Sequence, residues 1–298
     1  MRLTSRHPSR LLYALAFIVA PMPTSSLAAQ RPTPRPAPST ATGTVADEIY
    51  AVRYGTLANA RVSTLVAGAD TSRRLDGALM VWVIKRADGS VWLVDAGFYR
   101  EKFMTSWKPV DYRKPSDAVA SLGFVPEQVT DIILSHVHWD HVDGLDLFPR
   151  ARVWMQQEEF AHYVGEGGVS LNRALDPLDA AMLWQVKQDG RMRLVDGDAR
   201  QVAPGITVYT GGKHTFSSQY VRIEHPAGPV ILASDNAYLY ENIDMQLPIA
   251  QTLDRTSNLA AQRRMVALAG ASGVIVPGHD PAVMTRFPAA GTGVVRIR

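Results

Sequence analysis

The sequence predicts an α/β domain in which mixed β-sheets are covered by helices, spanning residues 48–298. Three observations point there. Short runs rich in β-branched and aromatic residues recur along the chain and read as strands. Segments with caps, stops and a helical apolar stripe fall between them. The two kinds alternate without strict βαβ regularity and without an internal repeat, which suggests mixed sheets within one domain.

Residues 77–85 (GALMVWVIK) and 90–94 (SVWLV) are strand-like, and Ala87-Asp88-Gly89 between them supplies hairpin turn chemistry. Ser116 caps a short helix over 116–122, where Val119 and Leu122 stand three apart and Gly123 is the stop. Residues 130–134 (TDIIL) read as a buried strand, and 157–164 as a helix. Strands follow at 206–209, 220–223 and 230–233. Residues 256–270 (TSNLAAQRRMVALAG) carry a cap, a terminal Gly and a helical stripe, and one more strand covers 274–276. The stretch 98–107 (FYREKFMTSW) reads as a loop after a strand end, whose aromatic residues and Met suit an apolar acyl or aryl group.

With 46% hydrophobic and 20% charged residues over 298 positions, the composition is that of a soluble globular chain. The formal charge of +3 comes from Arg2, Arg6 and Arg10, because residues 1–28 hold no acid. The remainder is neutral, carries no long run of like charge, and offers no field to draw in nucleic acid. The absence of cysteine excludes disulfide scaffolds, thiol nucleophiles and thiolate metal sites together. Residues 1–28 read as a secretory signal peptide, with a basic start, the apolar run 11–20 (LLYALAFIVA) and small residues around Ser26-Leu27-Ala28-Ala29. That apolar run is too short to span a bilayer, so a periplasmic or secreted protein without stable membrane insertion is expected. Residues 29–47 form a Pro-rich linker, extended and solvated.

Directly after the TDIIL strand stands Ser135-His136-Val137-His138-Trp139-Asp140-His141-Val142-Asp143-Gly144. Histidines two apart project to one side of an extended chain, so His136 and His138 can grip one ion from a strand end. Asp140 and His141 follow where the chain turns toward a helix, and can face a second ion. Nitrogen and oxygen ligands without thiolate suit Zn2+ best, with manganese, iron or cobalt also compatible.

This H-x-H-x-D-H segment resembles the hallmark of the metallo-β-lactamase superfamily of hydrolases. Gly211-Gly212-Lys213-His214-Thr215 is similar to that family's Gly-His-Thr segment, and Ala233-Ser234-Asp235 to the strand end that carries its bridging carboxylate. Val276-Pro277-Gly278-His279-Asp280 is similar to the final Gly-His, and Val94-Asp95-Ala96-Gly97 to the early Asp-x-Gly element, whose Asp orients a ligand histidine. The resemblance implies an αββα sandwich of two mixed sheets flanked by helices over residues 48–298. It implies two divalent metal ions, one on His136, His138 and His214, the other on Asp140, His141 and His279, with Asp235 bridging both. Hydrolysis by a hydroxide shared between the ions follows from that arrangement.

Asp235-Asn236-Ala237-Tyr238 resembles the N-acyl-homoserine lactonase pattern, in which a Tyr three residues after the bridging Asp reaches the substrate carbonyl. The resemblance therefore makes Tyr238 and Asp140 the expected catalytic residues, Tyr238 donating a hydrogen bond and Asp140 shuttling a proton to the departing ring oxygen. The expected partner is a small-molecule ester or lactone, acyl-homoserine lactone-like, with phosphotriester or aryl-ester hydrolysis on the same site as the alternative. Asp235 counts against β-lactam hydrolysis, since true β-lactamases of the related subclass usually lack the bridging carboxylate, and the intact ligand set counts against a non-catalytic metal-binding protein. No residue pattern sets an oligomeric state. The third segment departs from the family's pattern, with Lys213 before the histidine and Phe216-Ser217-Ser218 after it, which alters the lip of the site. His162 is expected at the surface or partly packed, His225 in a hairpin turn, and Asp143 and Asp280 as hydrogen-bonding support.

Overall fold

The computed structural model describes residues 46–298, with side chains from residue 48. The signal peptide expected at 1–28 and the linker expected at 29–47, apart from its last two residues, lie outside the described residues. The first half of the described chain runs β1 (Ala46–Arg61), β2 (Arg74–Arg86), β3 (Val91–Val94), α1 (Glu101–Trp107), α2 (Pro115–Ala120), β4 (Val129–Ile133), α3 (Trp139–Val142), β5 (Arg152–Gln156), α4 (Gln157–Tyr163), α5 (Pro177–Gln188) and β6 (Met192–Val195). The second half runs β7 (Arg200–Ala203), β8 (Ile206–Thr210), β9 (Gln219–Ile223), β10 (Val230–Ser234), α6 (Tyr240–Asp244), α7 (Arg255–Ala269), β11 (Val274–Pro277), α8 (Val283–Arg286), β12 (Ala289–Gly291) and β13 (Val294–Arg296).

Eight strands form one sheet in the order β12-β13-β1-β2-β3-β4-β5-β6, and five form another in the order β11-β10-β9-β8-β7. Both are mixed: β3 to β6 pair in parallel and β1 to β3 antiparallel, while β10 is parallel to β11 and antiparallel to β9. The alternation along β2 shows how the layers are built. Ala78, Met80, Trp82 and Ile84 enter the core between the sheets, where Val208, Val221, Val230 and Leu232 meet them from the smaller sheet. Leu79, Val81 and Val83 face the other way, into a core shared with Ala118 and Val119 of α2, Phe160 of α4 and Leu183 of α5. A strand buried on both faces reads as one apolar run, as GALMVWVIK does. On the far side of the smaller sheet, Ile231 and Ala233 of β10 pack against Ala261 and Met265 of α7. The result is the expected αββα sandwich. Among the described residues no helix is long and apolar enough to cross a membrane.

Three expectations need correcting. The stretch 98–107 is not all loop, since Glu101–Trp107 forms α1, which has Glu101 in its first turn and buries Phe103. The cap of α7 is not Thr256 but Asp254, whose carboxylate accepts from the amides of Thr256 and Ser257 and so satisfies two donors of the first turn. Ser116 is not a cap but lies inside α2, which starts at Pro115 with Lys114 in the cap position and no side-chain cap.

Candidate metal centre

Seven side chains converge where strands of the two sheets end. Beyond Ile133 the chain leaves β4 and bends at Val137 and His138; Leu134 and Val137 enter the core under the helices, and His136 and His138 lie on either side of Val137. The single turn of α3 then presents Asp140 and His141. His214 lies in the β8–β9 connection, Asp235 directly after β10, and His279 two residues after β11. The backbone bends sharply to do this. Asp95, Lys213 and Ser234 adopt left-handed φ values of 62°, 59° and 46°, each costing about 1–3 kcal/mol that the surrounding contacts must offset. Gly278 must lack a side chain, because a Cβ there would lie 2.8 Å from Asp235 Oδ1.

Two groups of donors result. In the first, His136 Nε2, His138 Nδ1 and His214 Nε2 lie 2.9–3.2 Å from one another. Asp235 Oδ2 is 3.6 Å from His136 Nε2 and 3.3 Å from His214 Nε2. In the second, Asp235 Oδ1 is 3.4 Å from His141 Nε2 and 3.0 Å from His279 Nε2, and Asp140 Oδ2 is 3.5 Å and 3.6 Å from the same two nitrogens. Donors about 2.0–2.1 Å from a tetrahedral zinc stand about 3.3 Å apart, so both groups have the spacing of a coordination shell. Moreover, His141 Nε2 and Asp235 Oδ1 are buried without a hydrogen-bond partner, which costs free energy unless a cation meets them. The residues therefore fit two metal ions, with one oxygen of Asp235 turned to each group.

Second partners fix which nitrogen of each ring is free. His214 Nδ1 lies 2.7 Å from the Gln251 carbonyl oxygen and His279 Nδ1 2.9 Å from that of Ala78. A carbonyl only accepts, so both rings carry their proton on Nδ1 and turn a lone pair at Nε2 into the centre. Asp95 does the same for His141, whose Nδ1 is 2.8 Å from Asp95 Oδ2, and this carboxylate also accepts from the Ser135 amide and the Ser135 and Ser234 hydroxyls. With the Ser135 hydroxyl donated to Asp95, its oxygen is left to accept from His136 Nδ1 at 2.9 Å. Burial and the neighbouring imidazoles push His136 far below the usual histidine range, and bring His138 down to about 3, so both are neutral and able to ligate. Burial disfavours the charged forms of Asp235 and Asp140, yet His141 and His279, whose own protonation these carboxylates favour, outweigh it and hold both carboxyls below the usual carboxylate range. A cation bound there would replace those protons and leave the ring lone pairs free.

The other expected residues are placed as follows. Tyr238 is buried beside His214 with its hydroxyl 3.5 Å from Nδ1, and burial together with Asp235 and Asp140 holds the phenol protonated. It lines a cavity of about 310 Å³ whose floor is His138, Asp140, Asp235 and His279 and whose walls include Leu57, Leu65, Trp107 and Trp139. Phe103, Trp139 and Trp107 stack into an aromatic wall, with centroids 5.2 Å and 4.8 Å apart. Asp143 and Asp280 are support, as expected: Asp143 accepts from the Tyr99 and Arg100 amides and pairs with the Arg100 guanidinium, while Asp280 accepts from the amides of Tyr240 and Ala282. His162 is exposed and stacks on Phe216 at 4.0 Å, and His225 lies in the β9–β10 turn. Sequence reasoning missed the roles of Ser135, Ser234 and Gln251, which reach partners remote in the chain.

The profile of the Metallo-beta-lactamase superfamily matches residues 76–279, the stretch that holds all seven converging side chains. The chain is 28% identical over 195 residues to the N-acyl homoserine lactonase AttM of Rhizobium johnstonii, a match that covers 62% of this chain and 71% of the relative. It is 25% identical over 160 residues to an N-acyl homoserine lactonase of a Bacillus species, which covers 53% of this chain and 59% of the relative. In three dimensions it is similar to the crystal structure of a quorum-quenching N-acyl homoserine lactone lactonase, with a TM-score of 0.69, 18% identity, and coverage of 83% of this chain and 98% of that one.

Proposed function

Because the chain belongs to the metallo-beta-lactamase superfamily, we propose that it is a metal-dependent hydrolase that opens lactone rings of the acyl-homoserine lactone type. His136, His138 and His214 hold the first ion in this reading, Asp140, His141 and His279 the second, and Asp235 both; zinc suits the donors best. The observation that carries it is the division of Asp235, with Oδ2 among the imidazoles of one group and Oδ1 among those of the other. Two relatives that are N-acyl homoserine lactonases support the substrate class.

Bound there, a pair of divalent ions supplies Lewis-acid polarisation of a carbonyl and a water acidified toward neutrality. The chain's own groups do the rest. The apolar walls around Trp107, Trp139, Leu57 and Leu65 receive the acyl group and exclude bulk water from the floor. Tyr238, held protonated, donates to the carbonyl oxygen as negative charge grows on it. Water adds its oxygen to the carbonyl carbon, the ring C–O bond breaks, and Asp140 takes up the water proton and delivers it to the departing oxygen, leaving a hydroxy acid.

A panel of acyl-homoserine lactones, simple lactones, aryl esters, aryl phosphotriesters and a β-lactam, assayed on one metal-loaded preparation, tests the reading. The acyl-homoserine lactones are expected to give the largest kcat/KM. A protein that cleaves aryl phosphotriesters but opens no lactone would replace it with the triester reading. We propose in addition that the mature protein is exported, on the basic, apolar and small-residue order of residues 1–28.

A further inference from the structure

We propose that Glu159 is a positioning residue for the first histidine triad, a single carboxylate tying together the two loops that supply His136, His138 and His214. The proposal rests on the dinuclear reading above. Glu159 stands on α4 and is almost wholly buried. Its Oε1 accepts from the Thr215 hydroxyl at 2.6 Å and from the Val137 amide at 3.3 Å, and its Oε2 accepts from the Ser217 amide at 2.6 Å. Val137 lies between His136 and His138, and Thr215 follows His214, so two of the three donors are direct chain neighbours of ligands. The same helix reaches the second loop again through Tyr163, whose hydroxyl oxygen accepts from the Phe216 amide at 3.2 Å.

A buried carboxylate is costly, and these three donors include no cationic side chain. Burial accordingly works against the charged form of Glu159, which its three hydrogen bonds and the nearby His214 ring favour. A cation among the three imidazoles would supply the countercharge. The second group of donors shares none of this bracing, because His141 is oriented by Asp95 and His279 by the Ala78 carbonyl. Glu159 is thus coupled to one metal position and not to the other. Its replacement by Gln keeps the shape but turns an NH2 group toward at least one existing donor, so one tie between the loops is lost.

The test is calorimetric titration of Zn2+ and Co2+ into the metal-free full chain, with ions counted by mass spectrometry. The chains compared are wild type, Glu159→Gln, Thr215→Val, His214→Ala and Asp131→Asn. The last breaks the pair between buried Asp131 on β4 and half-exposed Arg152 on β5, away from Glu159, and serves as a control for general loosening. Glu159→Gln is expected to weaken, by roughly 10- to 100-fold, the same binding phase that His214→Ala abolishes, and to leave the other phase within about threefold. Thr215→Val removes only one hydroxyl and is expected to weaken that phase by roughly two- to tenfold, so the proposal can be judged even if Glu159→Gln folds poorly. Both phases weakening together in step with lost thermal stability, as in the Asp131→Asn control, or neither phase changing, would overturn the proposal. A wild-type chain that takes up fewer than two ions would instead overturn the dinuclear reading, and this inference with it.

Discussion

Tyr238 owes its place to the turn after β10, which sets Asp235 on the floor of the cavity and brings the phenol back over it three residues later. If its hydroxyl stabilises a developing oxyanion, Tyr238→Phe removes one hydrogen bond that strengthens toward the transition state. About 1–3 kcal/mol should be lost, or roughly 5- to 150-fold in lactone turnover, with metal content unchanged. Steady-state kinetics beside elemental analysis checks this, and wild-type turnover in the Phe variant would remove Tyr238 from the mechanism. A second residue, Asp179 on α5, is buried beside Arg100 with one oxygen unpartnered. Burial and the nearby Asp143 outweigh Arg100 and raise its carboxyl to about 7. An acid whose folded pKa lies above its unfolded value of about 3.9 stabilises most at low pH and loses that contribution as pH rises toward its folded pKa. Asp179→Asn should therefore gain on wild type between about pH 4 and 7 and hold a constant advantage above that. Thermal melts at pH 5 and pH 8 read the difference, and a gap that does not widen with pH counts against it.

At the scale of elements, β10 and β11 each deliver one ligand, and the two should fail differently. Asp235→Ala takes an oxygen from both donor groups and should lower occupancy of both ions together. His279→Ala should empty mainly the second. Elemental analysis after reconstitution separates them, and a full first site in Asp235→Ala would end the bridging role. The strands that carry ligands were legible because each is a short apolar run stopped by a distinctive polar residue, as in TDIIL-Ser-His or ILAS-Asp. The helices over 116–122 and 157–164 were legible in place, although the cap expected at Ser116 is not used: α2 starts at Pro115 and neither helix has a side-chain cap. The sixteen-residue β1 was not legible, because three register shifts, two of them at Gly55 and around Asn59, break its alternation. Likewise α1 read as a loop, since its aromatic residues mark the wall of a cavity as readily as a helix face. The ligands, and Asp95 among the residues that orient them, could be read from local motifs, whereas Ser135, Ser234 and Gln251 could not. Glu159 acts on Thr215 from 56 positions away and Ser234 on Asp95 from 139, distances at which no spacing rule operates.

For the whole molecule, the proposed export is checked by mass spectrometry of the natively produced protein, which should start near Ala29 or Gln30; an intact Met1 in a periplasmic or culture fraction would contradict it. The division of the ligands between the sheets bears on folding. His136, His138, Asp140 and His141 follow β4 of the eight-stranded sheet, while His214, Asp235 and His279 follow strands of the five-stranded one. Neither sheet alone completes a donor group, so ions bound there would fasten one layer to the other by mass action. At a hundredfold excess over its dissociation constant a single ion adds about 2.7 kcal/mol to the folded state. The melting temperature would then climb with the logarithm of free metal concentration, making resistance to unfolding a gauge of how much metal the surroundings supply.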